Sequence, residues 1–149
     1  MGIRYLAVSI SEADFTRLSS EPPAMLSELE GDGTRDGLDL DKSWSYLQRY
    51  LEEAGLEAAG ALVAGAVTHT NDGWIPYRGL VSPERVKVAA AELARITPPQ
   101  LQAFFSVSET EGTSRDMEDY CYVSEYLQRA VEFIASVALQ ERALVYWIG

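Results

Sequence analysis

Apolar side chains in residues 3–10 fall on both alternations of the chain (Tyr5, Ala7 and Leu6, Val8, Ile10). That is the pattern of a strand covered on both faces. Ser11 offers a cap, and Glu12 and Asp14 place charge in the first turn of a short helix to about Ser19. Pro22 and Pro23 end it, and a second short helix is expected over residues 24–30. Gly31 to Gly37 is rich in Gly and Asp and reads as a loop. Leu40, Trp44, Leu47 and Leu51 then recur at helical spacing, with Asp39 or Asp41 as cap and Gly55 as stop. Residues 60–69 are small and β-branched. Val63, Val67 and Thr68, followed by the turn Asn71-Asp72-Gly73, favour a strand. Trp74 to Val81 forms a weaker strand, with Pro76 restricting its hydrogen bonding.

Ser82-Pro83-Glu84 is a helix start: a cap, Pro at the first helical position, then an acid. Val86, Ala89, Ala90 and Leu93 face inward from it. Thr97-Pro98-Pro99-Gln100 has capping-box spacing and opens a helix carrying Leu101, Phe104 and Phe105. Residues 106–116 are mostly polar and read as a loop. The longest helix follows from Glu118 to about Gln140, with Tyr120, Val123, Leu127, Val131, Ile134 and Ala138 on one face. Ala143 to Ile148 is apolar on both alternations, a strand inside a sheet rather than at its edge. The expected fold is α/β, bordering on α+β. It is one layered domain over residues 1–149, with a small mixed sheet, both terminal strands inside it, and about five to six covering helices.

Composition narrows the partners. With 23 acids against 12 basic residues, a net charge of -11 and no basic run, nucleic acid and anionic membranes are excluded as partners. A basic protein or a small molecule remains open; oligomeric state is not readable. The single cysteine, Cys121, cannot form an internal disulfide. It reads as a small buried hydrophobe in its helix. The N-terminus has no apolar run of signal-peptide type, and Leu6 stands where a myristoylation signal needs Ser or Thr. The expected compartment is the cytoplasm.

No complete catalytic motif occurs, so no catalytic residue, metal or cofactor is assigned. Asp32, Thr34, Asp36 and Gly37 suit the first positions of a calcium loop, but Ser43 stands where a bidentate Glu belongs. Gly60 to Gly65 has the glycine spacing of a P-loop without its Lys and hydroxyl. Carboxylate pairs are abundant, and in so acidic a chain they mark solvated faces. The best-placed polar group surrounds the only histidine, His69, where a strand runs out. Asn71 and Asp72 follow it, with Asp72 able to orient the imidazole, and Trp74, Tyr77 and Arg78 lie just beyond. The competing reading is a plain turn.

Several segments together resemble the YfbM-like proteins, a bacterial family known as domain of unknown function 1877. Met1-Gly2-Ile3-Arg4 with a following Tyr is of the family type, and Leu40-Asp41-Lys42-Ser43-Trp44 is similar to its Asp-Lys-Ala-Trp element. Leu80 to Val86 is similar to its Leu-Thr-Pro-Glu-Glu-Val helix start, and Tyr126-Leu127 to Tyr146-Trp147-Ile148 matches in kind. The resemblance implies a small α/β layered domain without an agreed activity. Family members often carry histidines just after the Trp, where this chain has Ser45 and Gln48. Asp41, Lys42 and Trp44 are retained, with either a binding role or a structural one, Asp41 as cap and Trp44 as core. The expected function is a non-catalytic binding or protein-interaction domain. The alternative is a small enzyme or ligand-binding domain with its site around His69 and the Asn71-Asp72-Gly73 turn.

Overall fold

The computed structural model describes residues 2–20, 37–106 and 117–149. Strand β1 (Tyr5–Ile10) leads into helix α1 (Glu12–Ser20), whose first turn is held by Asp14 N–H donating to Ser11 Oγ at 3.1 Å. Strand β2 (Gly37–Asp41), helix α2 (Trp44–Glu53) and the four-residue helix α3 (Glu57–Gly60) follow. Then come β3 (Thr68–Thr70), β4 (Gly73–Ile75) and β5 (Tyr77–Val81). Helices α4 (Pro83–Ala94), α5 (Pro98–Ser106) and α6 (Met117–Leu139) precede the last strand, β6 (Ala143–Ile148).

Four strands form one sheet in the order β2-β1-β6-β5, so both terminal strands lie inside it. Every residue of β6 is buried, because a central strand is covered on both faces and flanked on both edges. All three pairings run antiparallel. The sheet is therefore antiparallel throughout rather than mixed; hydrophobic spacing places a strand but says nothing of its direction. On one face, Tyr5, Ala7, Leu38, Leu40, Val81, Leu144, Tyr146 and Ile148 join the main core beneath helices α2 to α6. On the other, Ile10, Ala143, Val145 and Trp147 meet Leu18 and Phe15 of α1.

The helix starts obey the local rules. The Ser82 hydroxyl accepts from Arg85 N–H at 3.3 Å. The capping box closes both ways, Thr97 N–H donating to Gln100 Oε1 at 2.9 Å and Gln100 N–H to Thr97 Oγ1 at 3.4 Å. Helix α6 buries Val123, Leu127, Ala130, Ile134 and Val137. Cys121 lies two residues, about 200°, from Val123, and is exposed rather than buried.

Two elements differ from the expected ones. Residues 37–41 are a strand, not the start of a helix: Leu38 and Leu40 are buried and Gly37 and Asp39 exposed, a period of two. Leu40 matched the helical spacing of Trp44, Leu47 and Leu51 only because strand and helix put their apolar residues against the same core. Neither Asp39 nor Asp41 caps α2; Ser43 occupies that position, and its buried hydroxyl donates to Leu40 C=O at 2.6 Å. Within 60–69, only Thr68–Thr70 is strand. The helix expected over 24–30, the loop at 107–116, and Asp32, Thr34 and Asp36 lie outside the described residues. Among the described residues no helix is long and apolar enough to cross a membrane.

Candidate binding site

The two groups of residues singled out from the sequence lie at opposite edges of the sheet. In the register, Asp41 is opposite Tyr5, Tyr5 opposite Ile148, and Ile148 opposite Tyr77. Three strand spacings of about 4.8 Å put Asp41 and Tyr77 roughly 14 Å apart. They do not form one site.

At the β2 edge, Asp41 ends its strand at a bulge with φ +48°, a backbone region that Asp tolerates better than most residues. Its N–H donates to Asp39 Oδ1 at 2.7 Å, which holds the turn. One carboxylate oxygen lies 3.1 Å from Arg4 Nε, and the other accepts from the Tyr122 hydroxyl at 2.8 Å. That hydroxyl in turn accepts from Lys42 N–H at 3.2 Å. Trp44 is half-buried, and its indole N–H donates to Ile3 C=O at 3.1 Å. The Asp41 carboxylate, the Lys42 N–H and the Trp44 indole thus tie the N-terminal segment, the β2–α2 corner and α6 together.

Burial, reinforced by the Asp41 carboxylate, pushes the Tyr122 hydroxyl up to about 12. Its unfolded value is near 10, so on raising the pH the unfolded chain loses this proton first. Its contribution to stability should be constant below about pH 10 and be lost as the pH rises towards about 12. Thermal melts through that range should fall less steeply for Tyr122→Phe, and equal slopes would show that the Tyr122 hydroxyl titrates alike in the folded and unfolded chains. Tyr5 and Tyr146, also raised chiefly by burial, keep part of the slope in both proteins.

The segment after α3 explains why residues 61–65 are not a strand. Five successive carbonyls lie within hydrogen-bond reach of three side chains. Tyr146 Oη lies 3.2 Å from Ala61 O and 2.7 Å from Ala64 O, and Tyr5 Oη 2.8 Å from Leu62 O. Gln48 Nε2 donates to Val63 O at 2.8 Å and to Gly65 O at 2.9 Å. A backbone whose acceptors are met this way needs no strand partner. Beside it a cleft of about 570 Å³ is lined by Gln48, Leu51 and Glu52 of α2, the α2–α3 connection, Gly60, and Ala61, Ala64 and Gly65.

At the β5 edge, β3 and β4 form a two-stranded hairpin across the Asn71-Asp72 turn, and all six strand residues are exposed. His69 sits opposite Trp74. Asp72 lies in the turn, its N–H donating to Thr70 Oγ1 at 3.3 Å. His69 and Asp72 share no described hydrogen bond, so the structure does not show the orienting contact expected of them. Pro76 separates β4 from β5, dividing the single strand expected over 74–81. Trp74 and Ile75 stand 41% and 55% exposed. Tyr77 is 37% exposed, with its ring 6.1 Å from that of Tyr146. Arg78 is half-buried in β5. Among the described residues, no three His, Cys, Asp or Glu side chains converge as metal ligands.

The sequence profile of a domain of unknown function, DUF1877, matches residues 1–147. The chain belongs to this family. Among solved structures, the crystal structure of YfbM from Escherichia coli, itself a protein of unknown function, has the same fold. The TM-score is 0.66 over 99% of this chain and 100% of that one, at 17% identity. At that identity the likeness speaks for fold alone. No curated protein sequence matches.

In this DUF1877 chain, Gln48 stands where the resemblance expects a histidine, and its amide secures the 61–65 segment. Sequence reasoning missed Tyr122, Gln48 and the tyrosine pair Tyr5 and Tyr146. A signal for the last two was present: a tyrosine inside a doubly covered strand carries a hydroxyl that must find an acceptor.

Proposed function

We propose that this DUF1877 chain is a non-catalytic binding domain that engages a basic protein through the β3–β4 hairpin and the start of β5. The observation that carries this reading is the cluster Trp74, Ile75 and Tyr77, three large apolar side chains exposed within four residues. Large aromatic side chains supply much of the energy at protein interfaces at little entropic cost. Among the described residues the hairpin pairs only with itself, and all six of its strand residues are exposed. A net charge of -11 favours encounter with a basic surface. His69, Asn71 and Asp72 supply exposed polar groups beside the apolar cluster. The second reading, a small-ligand site at the same turn, rests on His69 lying directly across from Trp74.

The test is affinity capture from native lysate at moderate salt, with wild type and the Trp74→Ala/Ile75→Ser variant run side by side. A basic protein held by wild type and lost by the variant, with unchanged melting temperature, is the expected result. Capture of nothing by wild type, or equal capture by both, counts against the hairpin. A metabolite that stabilises wild type but not His69→Ala would favour the second reading.

A further inference from the structure

We propose that the cleft between α2 and the 61–65 segment binds a small aliphatic amine, with its ammonium groups towards Glu52 and Glu57 and its carbon chain against Leu51, Leu56 and Ala64. This site is separate from the hairpin and stands whether or not the hairpin reading holds. At about 570 Å³, the cleft is within the range that accepts small ligands.

Hydrogen-bonding capacity selects the sign of the ligand. Most donors in the wall are already used. Gly55, Leu56, Gly60 and Ala61 N–H donate to Glu52, Leu51, Leu56 and Glu57 carbonyls at 2.8–3.1 Å. The Gln48 amide nitrogen is committed to Val63 and Gly65. The first turn of α3 has no N–H groups left for an anion at Ala58 and Ala59, because the Glu92 carboxylate already takes both at 3.0–3.2 Å. What the wall still offers is acceptors. Glu52 and Glu57 both line the cleft, and neither has an ion-pair partner among the described residues. The last turn of α2, which supplies Leu51 and Glu52, also presents the negative end of the helix dipole. An anion would find few donors here and two repelling carboxylates.

The apolar surface decides between an organic cation and a bare metal ion. Leu56, Ala61 and Ala64 would gain nothing from a hydrated ion, whereas a methylene chain removes their exposed area from water. Gly60, with nothing within 4 Å of an added methyl, lets such a chain lie close to the backbone.

The probe is spermidine, titrated into the full chain at about 0.15 M salt, where long-range attraction to the acidic surface is screened. Heteronuclear NMR should show saturable shifts centred on the amides of Gly55, Gly60 and Gly65. The Glu52→Gln/Glu57→Gln variant should weaken binding by about tenfold, the combined effect of two exposed charge pairs. Hexanoate, with a carbon chain of similar length and opposite charge, should produce no shifts in the cleft. No shift with spermidine, unsaturable shifts spread over the acidic surface, equal binding by the variant, or equal shifts with hexanoate would each overturn the proposal.

Discussion

Gly79→Ala is expected to destabilise the protein by about 1–3 kcal/mol, seen as a fall in Tm of about 2–4 °C per kcal/mol for a chain of this size. Gly79 lies opposite Tyr146 in the β5–β6 register, and a methyl group there would overlap the outer edge of the Tyr146 ring. The ring has little room to retreat. Its hydroxyl is held at Ala61 and Ala64, its face stacks on Tyr5 at 5.4 Å, and Tyr77 flanks it at 6.1 Å. Accommodation therefore moves either β5 or the 61–65 segment. Gly60→Ala is the control, because nothing lies within 4 Å of its added methyl. That change should be neutral or stabilising by up to about 1 kcal/mol. If both variants melt like wild type, the close packing of Tyr146 over Gly79 is not what sets the β5 position.

Tyr5→Phe is expected to cost about 1–3 kcal/mol, although it removes one oxygen and no carbon. Tyr5 is 1% exposed, and its hydroxyl donates to Leu62 C=O at 2.8 Å in a buried contact. Phenylalanine leaves that carbonyl without its donor and away from water, which costs more than the bond itself contributed. The effect should be local as well as global. Residues 61–65 have no strand partner, so loss of one of their side-chain anchors should speed amide exchange there more than in β6. Chemical denaturation gives the global cost, and hydrogen exchange followed by residue gives its distribution. A variant as stable as wild type, with unchanged exchange at 61–65, would mean that water replaces the hydroxyl at no cost.

The elements legible in the sequence are those whose controlling interactions are local. The Ser11, Ser82 and Thr97 caps each involve groups within three residues, and the structure contains all four of their bonds. The terminal strands were legible because apolar residues on both alternations imply cover on both faces, and β1 and β6 are the two central strands. The Asn71-Asp72-Gly73 turn was legible for the same local reason.

Misreadings occurred where a distant partner decided the outcome. Residues 37–41 became a strand because β1 was available to pair with them, although Leu40 also suited a helix. Residues 61–65 left the β state because Tyr5, Tyr146 and Gln48 reached them from positions 15 to 85 residues away in sequence. The role of Asp41 changed from cap to clamp because Tyr122, 81 residues on, came to meet it.

By itself, then, the amino-acid sequence determined the fold class, the starts of α1, α4 and α5, the buried terminal strands and the family. Each depends on residue type at short spacing, which the chain displays directly. Only the tertiary structure decided that the Asp41 corner and the His69 hairpin lie at opposite edges of one sheet. It also decided that the tyrosine hydroxyls complete an irregular backbone, and that a cleft opens beside that backbone. These features arise from contacts between distant segments, and the energy of such a contact has no signature in either segment alone.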